Sequence, residues 1–265
     1  MVTIKSDYHL HTSYCRHATG EMGQYVEAAV RAGLSEIGFS DHAPVADGWD
    51  PTHRMSVREF DRYAREVLNL SAVFPQIRIR LGIEADIYPG FEKNLENLVS
   101  DFPVEYVLGS VHFIDGLPVF SREELPLNPD QVRHFIGTYF DRLAGGVESG
   151  LFHAVCHLDL VKWNFPEYRG LIEDHAARLL SEVKRAGMAV ELNTSGLRKR
   201  PREMYPSNSI LSEAGRMGIP IIPGSDAHDP EQVGSHFREA ESALEDLNYR
   251  SAEILSMGLS GFIPA

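Results

Sequence analysis

The sequence predicts an α/β fold in which parallel strands, seven rather than eight, close into a TIM-like (β/α)7 barrel. Short apolar runs alternate about seven times with stretches of helical period, as in a parallel sheet covered by helices. No repeat, low-complexity tract or linker interrupts this alternation, so residues 1–265 are predicted to form a single domain. An open doubly wound sheet is the alternative. It is disfavoured because no Gly-rich phosphate loop follows the first strand.

The predicted elements follow from apolar period and from terminal residues. The strands are expected at Val2–His9, Glu36–Ser40, Ile77–Glu84, Tyr106–His112, Leu151–His157, Met188–Leu192 and Ile219–Pro223. Helical period indicates helices that include Gly23–Ala32, Val57–Val73, Pro129–Glu148, Arg169–Ala186 and Glu231–Asp246. Helix starts are marked by Asn128-Pro129 and Asp229-Pro230, and helix ends by Gly33, Gly187 and Gly218.

Composition excludes several classes of protein. The 265 residues include 25 Lys and Arg against 38 Asp and Glu, a formal charge of −13, so neither nucleic acid nor anionic membrane is an expected partner. No apolar run approaches the roughly 20 residues that cross a bilayer, and the N-terminal residues lack the apolar core of a signal peptide. Cys15 and Cys156 cannot build a disulfide framework. We therefore expect a cytoplasmic protein.

Histidine is enriched, with 12 residues, and it falls where the predicted strands end. In a parallel barrel, the C-terminal ends of all strands open on one face. Nine candidate metal ligands would meet there: His9, His11, His17, His42, Glu84, His112, His157, Asp226 and His228. One zinc or iron ion takes about four to six ligands, so two or three ions are expected, with Glu84 as a bridge.

Plainer explanations exist for each motif taken alone. An isolated H-x-H is more often incidental, and His42 by itself could be a core histidine bonded to the backbone. Burying the whole set unpaired would cost about 1–3 kcal/mol for each group, which favours the metal interpretation. The remaining histidines are expected on the surface (His53, His236), solvated within helices (His134, His175) or in the core (His153). The two cysteines are expected to be small buried groups.

The motifs HLHT, GFSDH, IEAD, GSVHF, CHLDL, ELNTSGLRK and GSDAH, in this order, resemble the PHP (polymerase and histidinol phosphatase) family over nearly the whole chain. Strings such as HLDLVKW and GIPIIPGSDAH resemble its histidinol-phosphatase branch. The resemblance implies a distorted (β/α)7 barrel with a trinuclear metal centre. It also implies hydrolysis of L-histidinol phosphate to L-histidinol and phosphate in histidine biosynthesis.

The resemblance also implies how the ligands divide among the ions. His9, His11, Glu84 and Asp226 would hold the first ion, and Glu84 would bridge to a second ion bound by His112 and His157. A third ion would be held by His17, His42 and His228. Sites made of imidazole and carboxylate accept zinc, iron or manganese, so the identity of the ions stays open.

The expected mechanism is attack by a metal-activated hydroxide, because a metal-bound water ionises near pH 7 rather than near about 15.7. Arg198 is predicted to bind phosphate through two hydrogen bonds, with Lys162 as a second cation. Glu84, Asp226 and His228 complete the predicted catalytic set, and His17 and His42 are expected at the substrate phosphate through the third ion. No G-x-S-x-G or C-x5-R motif is present, so no phosphoenzyme is expected. Lys199, Arg200 and Arg202 are predicted to be solvated.

Several alternatives stay open at this point. Another PHP phosphoesterase could act on a different small phosphomonoester, a nucleotide, DNA or phosphotyrosine. A metal-dependent amidohydrolase would be expected to show a carboxylated lysine and a lone final Asp, whereas this chain has Glu84 and the Asp226–His228 pair. A non-catalytic metal-binding module is the remaining class. The substrate ammonium could meet Asp115, Asp159 or Glu191, although each could equally support a metal-bound histidine. The chain is expected to be a monomer or a homodimer.

Overall fold

The computed structural model describes residues 2–45, 48, 50, 52–120, 125–247 and 249. Seven parallel strands form one sheet, and a short antiparallel hairpin lies outside it. The strands of the large sheet are β1 (Ser6–Leu10), β2 (Glu36–Phe39), β3 (Arg78–Asp86), β4 (Tyr106–Ser110), β7 (Ala154–Val155), β8 (Ala189–Asn193) and β9 (Ile221–Gly224). The hairpin consists of β5 (Phe113–Ile114) and β6 (Leu117–Pro118).

The large sheet curls into a nearly closed barrel. Its strands pair in the order β1-β2-β3-β4-β7-β8-β9, and every pair is parallel. The two edge strands meet beyond their ends, where the amide of His11 donates to the carbonyl of Ala227 at 2.9 Å and the amide of Ala227 donates to the carbonyl of His9 at 3.2 Å. The predicted seven-stranded barrel is therefore confirmed, and the open doubly wound sheet is excluded.

Helices in the described residues cover the outside of the barrel. They are α1 (Met22–Arg31), α2 (Val57–Val73), α3 (Phe91–Asp101), α4 (Pro129–Ser149), α5 (Arg169–Ala186), α6 (Asn208–Arg216) and α7 (Phe237–Asp246). The predicted bounds of α2 and α5 are confirmed. Asn128 caps α4 by accepting hydrogen bonds from the amides of Asp130 and Gln131, as predicted. None of the helices in this part of the chain is long and apolar enough to cross a membrane.

Two predicted elements are much shorter than expected. The strand predicted over Leu151–His157 is reduced to Ala154–Val155, because His157 has a positive φ of 28° that turns the chain out of the sheet. The helix predicted over Glu231–Asp246 begins only at Phe237, because Gly234 and His236 adopt left-handed backbone with φ of 64° and 61°. Pro230–Gln232 forms a separate 3-10 turn that is capped by Asp229.

A tyrosine fills the middle of the barrel. The Tyr106 hydroxyl donates to the carbonyl of Tyr8 at 2.7 Å, and a Cβ atom on Gly38 or Gly82 would collide with its ring. Arg80, which precedes Gly82 by two residues on β3, is buried and donates to Glu36 at 2.5 Å. The interior is thus packed below Glu84, so that β3 reaches an open cavity only at its C-terminal end.

Candidate metal centre

The nine predicted ligands converge at the C-terminal mouth of the barrel. Eight of them line one cavity of about 650 Å³: His11, His17, His42, Glu84, His112, His157, Asp226 and His228. His9 lies just beneath the cavity, fully buried, with its Nε2 atom 3.1 Å from Nε2 of His11. Every residue that was predicted to be a metal ligand therefore lies in one group at this mouth.

Glu84 lies at the middle of this group. Its Oε1 atom is 2.9 Å from Nε2 of His157 and 3.4 Å from Nε2 of His112. Its Oε2 atom is 2.9 Å from Nδ1 of His42 and 3.5 Å from Nε2 of His9. Because the two oxygens face different histidines, this carboxylate has the placement of a bridging ligand.

Two of the sets of donor atoms that lie close enough to hold an ion correspond to predicted groups. The donor atoms of His9, His11 and Glu84 lie within 4.8 Å of one another, and so do those of His17, His42 and His228. Asp226 approaches the first set, with Oδ1 3.5 Å from Nε2 of His11. These sets coincide with the first and third groups that the family resemblance implies. A further set joins His42 and Glu84 to His112.

Buried carboxylates orient two of the histidines. Nδ1 of His9 lies 2.6 Å from Oε1 of Glu191, and Nδ1 of His112 lies 3.0 Å from Oδ1 of Asp86. A carboxylate accepts the proton on Nδ1, so that the neutral imidazole would present an unprotonated Nε2 atom to the centre. That tautomer is the one a metal ion requires.

Backbone carbonyls orient two more histidines in the same way. Nδ1 of His17 lies 2.7 Å from the carbonyl oxygen of Cys15, and Nδ1 of His228 lies 3.1 Å from that of Asp226. Nδ1 of His42 has no hydrogen-bond partner among the described residues, although it lies 2.9 Å from Glu84. Two lone-pair atoms this close, with no hydrogen bond between them, are placed as two ligands of one cation would be. The side chains of the centre therefore fit metal ions.

The histidines of the centre differ in the direction in which their pKa values are shifted. Burial lowers the pKa of His42 to about 4 and also lowers the pKa of His17, which keeps both imidazoles neutral. Burial opposes protonation of His9, but Glu191 and Glu84 outweigh it and raise the pKa of His9 to about 10. Burial likewise disfavours ionised Glu84, but the facing histidines hold its pKa well below the usual range. The carboxylates of the centre therefore attract positive charge, which is a proton on His9 when no metal is bound and which metal ions would supply in the loaded protein.

The predicted cations occupy different surroundings. Arg198 lines the cavity, and its Nη2 atom donates to the carbonyls of Ser225 at 2.7 Å and Asp226 at 3.2 Å. Lys162 is not among the residues that line the cavity. Its buried Nζ atom donates to the carbonyl of Met204 at 2.6 Å and lies 2.9 Å from Asp159.

The expectation that Lys199 is solvated is wrong. Its Nζ atom lies 2.8 Å from Oδ2 of Asp226, and the side chain, one third exposed, lines the cavity. The contact crosses from one loop to another 27 residues away, so local sequence gave no signal for it. Arg200 and Arg202 are exposed, as predicted.

Sequence reasoning also missed part of the cavity wall. Arg54 is buried, lines the cavity and donates to Oδ2 of Asp86 at 2.8 Å. Phe113, Phe120 and Trp163 line another side, and the Phe120 ring lies 5.6 Å from that of His112. These aromatic residues carry no periodic signal, because the segments that hold them, such as the two-residue strand β5 and the 3-10 turn Leu160–Trp163, are too short to show a period.

The other histidines lie outside the candidate ligand sets. His53 is about half-exposed at the cavity rim, with Nδ1 2.7 Å from Asp50. His153 was predicted in the core and is half-buried, where Nδ1 accepts a hydrogen bond of 3.1 Å from the amide of Val107. His134 is exposed on α4, as predicted. His175 was expected to be solvated, but it is half-buried on α5, because its ring stacks on that of Phe140 with 5.4 Å between centroids.

Fold and site together define a class: a parallel (β/α)7 barrel whose mouth carries a centre of imidazole and carboxylate donors able to hold several metal ions. The model of the PHP domain family matches residues 7–195, and that of a PHP-associated family matches residues 209–247. The chain belongs to the PHP family. The resemblance found in the sequence motifs is thereby confirmed.

Several similar proteins are histidinol-phosphatases or probable histidinol-phosphatases. A probable histidinol-phosphatase of Deinococcus radiodurans is 38% identical over 251 residues, which cover 92% of this chain and 94% of that protein. The histidinol-phosphatase of Bacillus subtilis is 27% identical over 87% of this chain and 96% of its own. The structure of the Lactococcus lactis histidinol phosphate phosphatase superposes with a TM-score of 0.77 at 22% identity, covering 93% of this chain and 94% of that one. That structure was determined in complex with zinc, L-histidinol and phosphate.

Proposed function

We propose that this chain is a histidinol-phosphatase, which hydrolyses L-histidinol phosphate to L-histidinol and phosphate in histidine biosynthesis. The observation that carries the proposal is the convergence of nine candidate ligands and Arg198 at one barrel mouth, in a chain 38% identical to a probable histidinol-phosphatase. The cavity of about 650 Å³ suits a small phosphate ester.

The ligands would divide as the family resemblance implies. His9, His11, Glu84 and Asp226 would hold one ion, and Glu84 would share a second with His112 and His157. His17, His42 and His228 would hold a third. When bound, two or three ions of zinc, iron or manganese would supply an acidified water and positive charge for the phosphoryl group.

The chain's own cations complete the proposed phosphate site. Arg198 is fixed by two backbone carbonyls and by Oγ of Ser235, to which its Nη1 atom donates. Its Nε–H and its second Nη1–H are the donors proposed to meet phosphoryl oxygens at the cavity. Lys162 contributes positive charge from outside the cavity lining. To touch phosphate, it would have to break its contacts with Asp159 and the carbonyl of Met204. We retain both as proposed substrate-binding residues, with Arg198 as the direct contact.

Glu84, Asp226 and His228 are the proposed catalytic side chains at the reacting end of the cavity. His17 and His42 lie beside them, with ring centroids 5.6 Å apart, and we assign them to substrate binding through the third ion. Phe113, Phe120 and Trp163 form an apolar wall for the part of the substrate that carries no phosphate. An aromatic wall suits the flat imidazole ring of histidinol.

Hydrolysis without a phosphoenzyme is favoured by the surroundings of the cysteines. Cys156 is buried 3.4 Å from Oε1 of Glu84, and burial together with this carboxylate raises the pKa of its thiol. A thiol held protonated is a poor nucleophile. Water is therefore the proposed nucleophile. One 18O atom from labelled water should enter each phosphate in a single turnover, which shows cleavage of the P–O bond, and a trapped covalent phosphoprotein would contradict direct attack by water.

The proposal also covers the setting of the enzyme. We treat the chain as one catalytic domain, since every proposed ligand comes from the same barrel. The buried thiols of Cys15 and Cys156 suit the reducing cytoplasm. We expect a monomer or a homodimer, because no second copy is needed to supply a ligand.

The test is a phosphatase assay after metal removal by chelation and again after zinc or manganese is restored. Substrates are L-histidinol phosphate, O-phosphoethanolamine, AMP, a phosphotyrosine peptide and an amide substrate. We expect no turnover without metal, and after restoration a kcat/KM for L-histidinol phosphate at least about tenfold above any other. Preference for AMP or the peptide would assign the chain to another PHP phosphoesterase, and full turnover without metal would contradict the proposal.

A further inference from the structure

The segment that follows β8 is hydrogen-bonded to the turn that carries Asp226. Three of its residues, Ser195, Arg198 and Lys199, donate hydrogen bonds to this turn, and we call these three residues the brace. The backbone of Asp226 has a φ of 51°, in the left-handed region that non-glycine residues seldom occupy. Arg198 secures this conformation by donating to the carbonyls of Ser225 and Asp226.

The rest of the brace holds one oxygen of the Asp226 carboxylate. Oδ2 accepts hydrogen bonds from Oγ of Ser195 and from Nζ of Lys199, each at 2.8 Å. The other oxygen, Oδ1, faces the histidines, 3.5 Å from Nε2 of His11 and 3.4 Å from Nδ1 of His228. Ser195 and Asp226 are both buried, so water does not compete for the hydrogen bond between them.

We propose that Lys199 is a positioning residue that, together with Ser195, holds Oδ2 of Asp226 and presents Oδ1 alone to the metal centre. A carboxylate held at one oxygen by two donors is fixed in rotation and binds an ion through the other oxygen. The inference assigns a role to a lysine that neither the proposed ligand set nor the proposed phosphate contacts include.

The sign of one measurement separates positioning from simple charge. An ammonium group beside a metal ligand repels a cation, so its removal would strengthen metal binding if charge were its only effect. Removal of a positioning residue instead weakens binding, by about 10- to 100-fold for partners of metal ligands. The two explanations therefore predict opposite changes.

The experiment is competition for zinc between the fully loaded protein and a chelator, followed without any substrate. We expect Lys199→Met to retain zinc at least about tenfold less tightly than the natural chain, and Lys199→Arg to recover most of the loss. Arg200→Met is the matched control, because it removes the same charge from an exposed neighbouring position. Zinc retention by Lys199→Met that equals or exceeds that of the natural chain would overturn the proposal.

A second variant keeps the test independent of the lysine. Ser195→Ala removes the other donor to Oδ2, so it should also weaken zinc retention, and the double variant should lose less than the product of the two single effects. Independent, multiplicative effects would contradict a shared action on one oxygen. Since no substrate is present, failure of the proposed phosphatase activity would leave this result unaffected.

Discussion

Nδ1 of His9 lies 2.6 Å from Oε1 of Glu191, and neither side chain is exposed to solvent. The second oxygen of Glu191 accepts a 2.9 Å hydrogen bond from the backbone amide of His157. One buried carboxylate on β8 thus supports two proposed ligands, His9 on β1 and His157 after β7. Because Glu191 is enclosed, the structure answers a question that the sequence left open, whether this residue meets the substrate or a histidine.

Glu191→Gln should weaken metal binding by about 10- to 100-fold. The amide that replaces one carboxylate oxygen would place a donor against either Nδ1–H of His9 or the amide of His157. The measurement is zinc content after dialysis against a weak chelator. Glu167→Gln, the same change at an exposed position, is the control and should keep its zinc. Equal zinc contents in the two variants would count against the role assigned to Glu191.

Glu84→Ala should lose the occupancy of two ions and nearly all activity, because both oxygens of Glu84 face proposed ligands. His153→Ala is the comparison, since His153 accepts a bond from the Val107 amide and lies outside the candidate sets that contain Glu84. It should keep its metal and lose about 1 kcal/mol of stability. Metal analysis of both proteins checks this, and full occupancy in Glu84→Ala would disprove bridging.

Gly82→Ala should destabilise the barrel by about 1–3 kcal/mol, because the added methyl group would collide with the Tyr106 ring. Gly145→Ala, in the middle of α4, meets no atom within 4 Å and should instead gain up to about 1 kcal/mol. Urea unfolding of the two variants measures both changes. Similar stabilities would show that the interior is not filled as described.

Phe120→Ala should raise KM for L-histidinol phosphate by about two- to tenfold, because the substrate would lose one aromatic contact. Inhibition by inorganic phosphate should not change, because phosphate has no ring to meet the wall. Leu117→Ala removes an exposed apolar side chain that is not among the residues lining the cavity, and it serves as the control. A loss of phosphate affinity in Phe120→Ala would show that the wall acts on the other end of the substrate.

Much of the fold and the candidate ligand set could be predicted because both follow from local period. Strand and helix alternate along the chain, and a ligand at a strand end is placed at the mouth by topology alone. The bounds of two elements could not be predicted, because backbone conformation determines where they begin or end. The positive φ angles of His157 and His236, which end β7 early and delay α7, leave no mark in the apolar pattern.

The supporting residues of the centre could not be predicted because their partners are distant in sequence. Arg54 meets Asp86 across 32 residues, His9 meets Glu191 across 182, and Lys199 meets Asp226 across 27. A basic loop such as RKR is usually solvated, and only the packing of two loops shows which of its cations is held inward.

The number of metal ions bound per chain tests the account most directly. The purified protein is loaded with excess zinc, freed of unbound ions by gel filtration and measured by elemental analysis against protein concentration. The nine converging candidate ligands predict two or three ions per chain. One ion or none in the folded protein would contradict the multinuclear centre on which the proposed function rests.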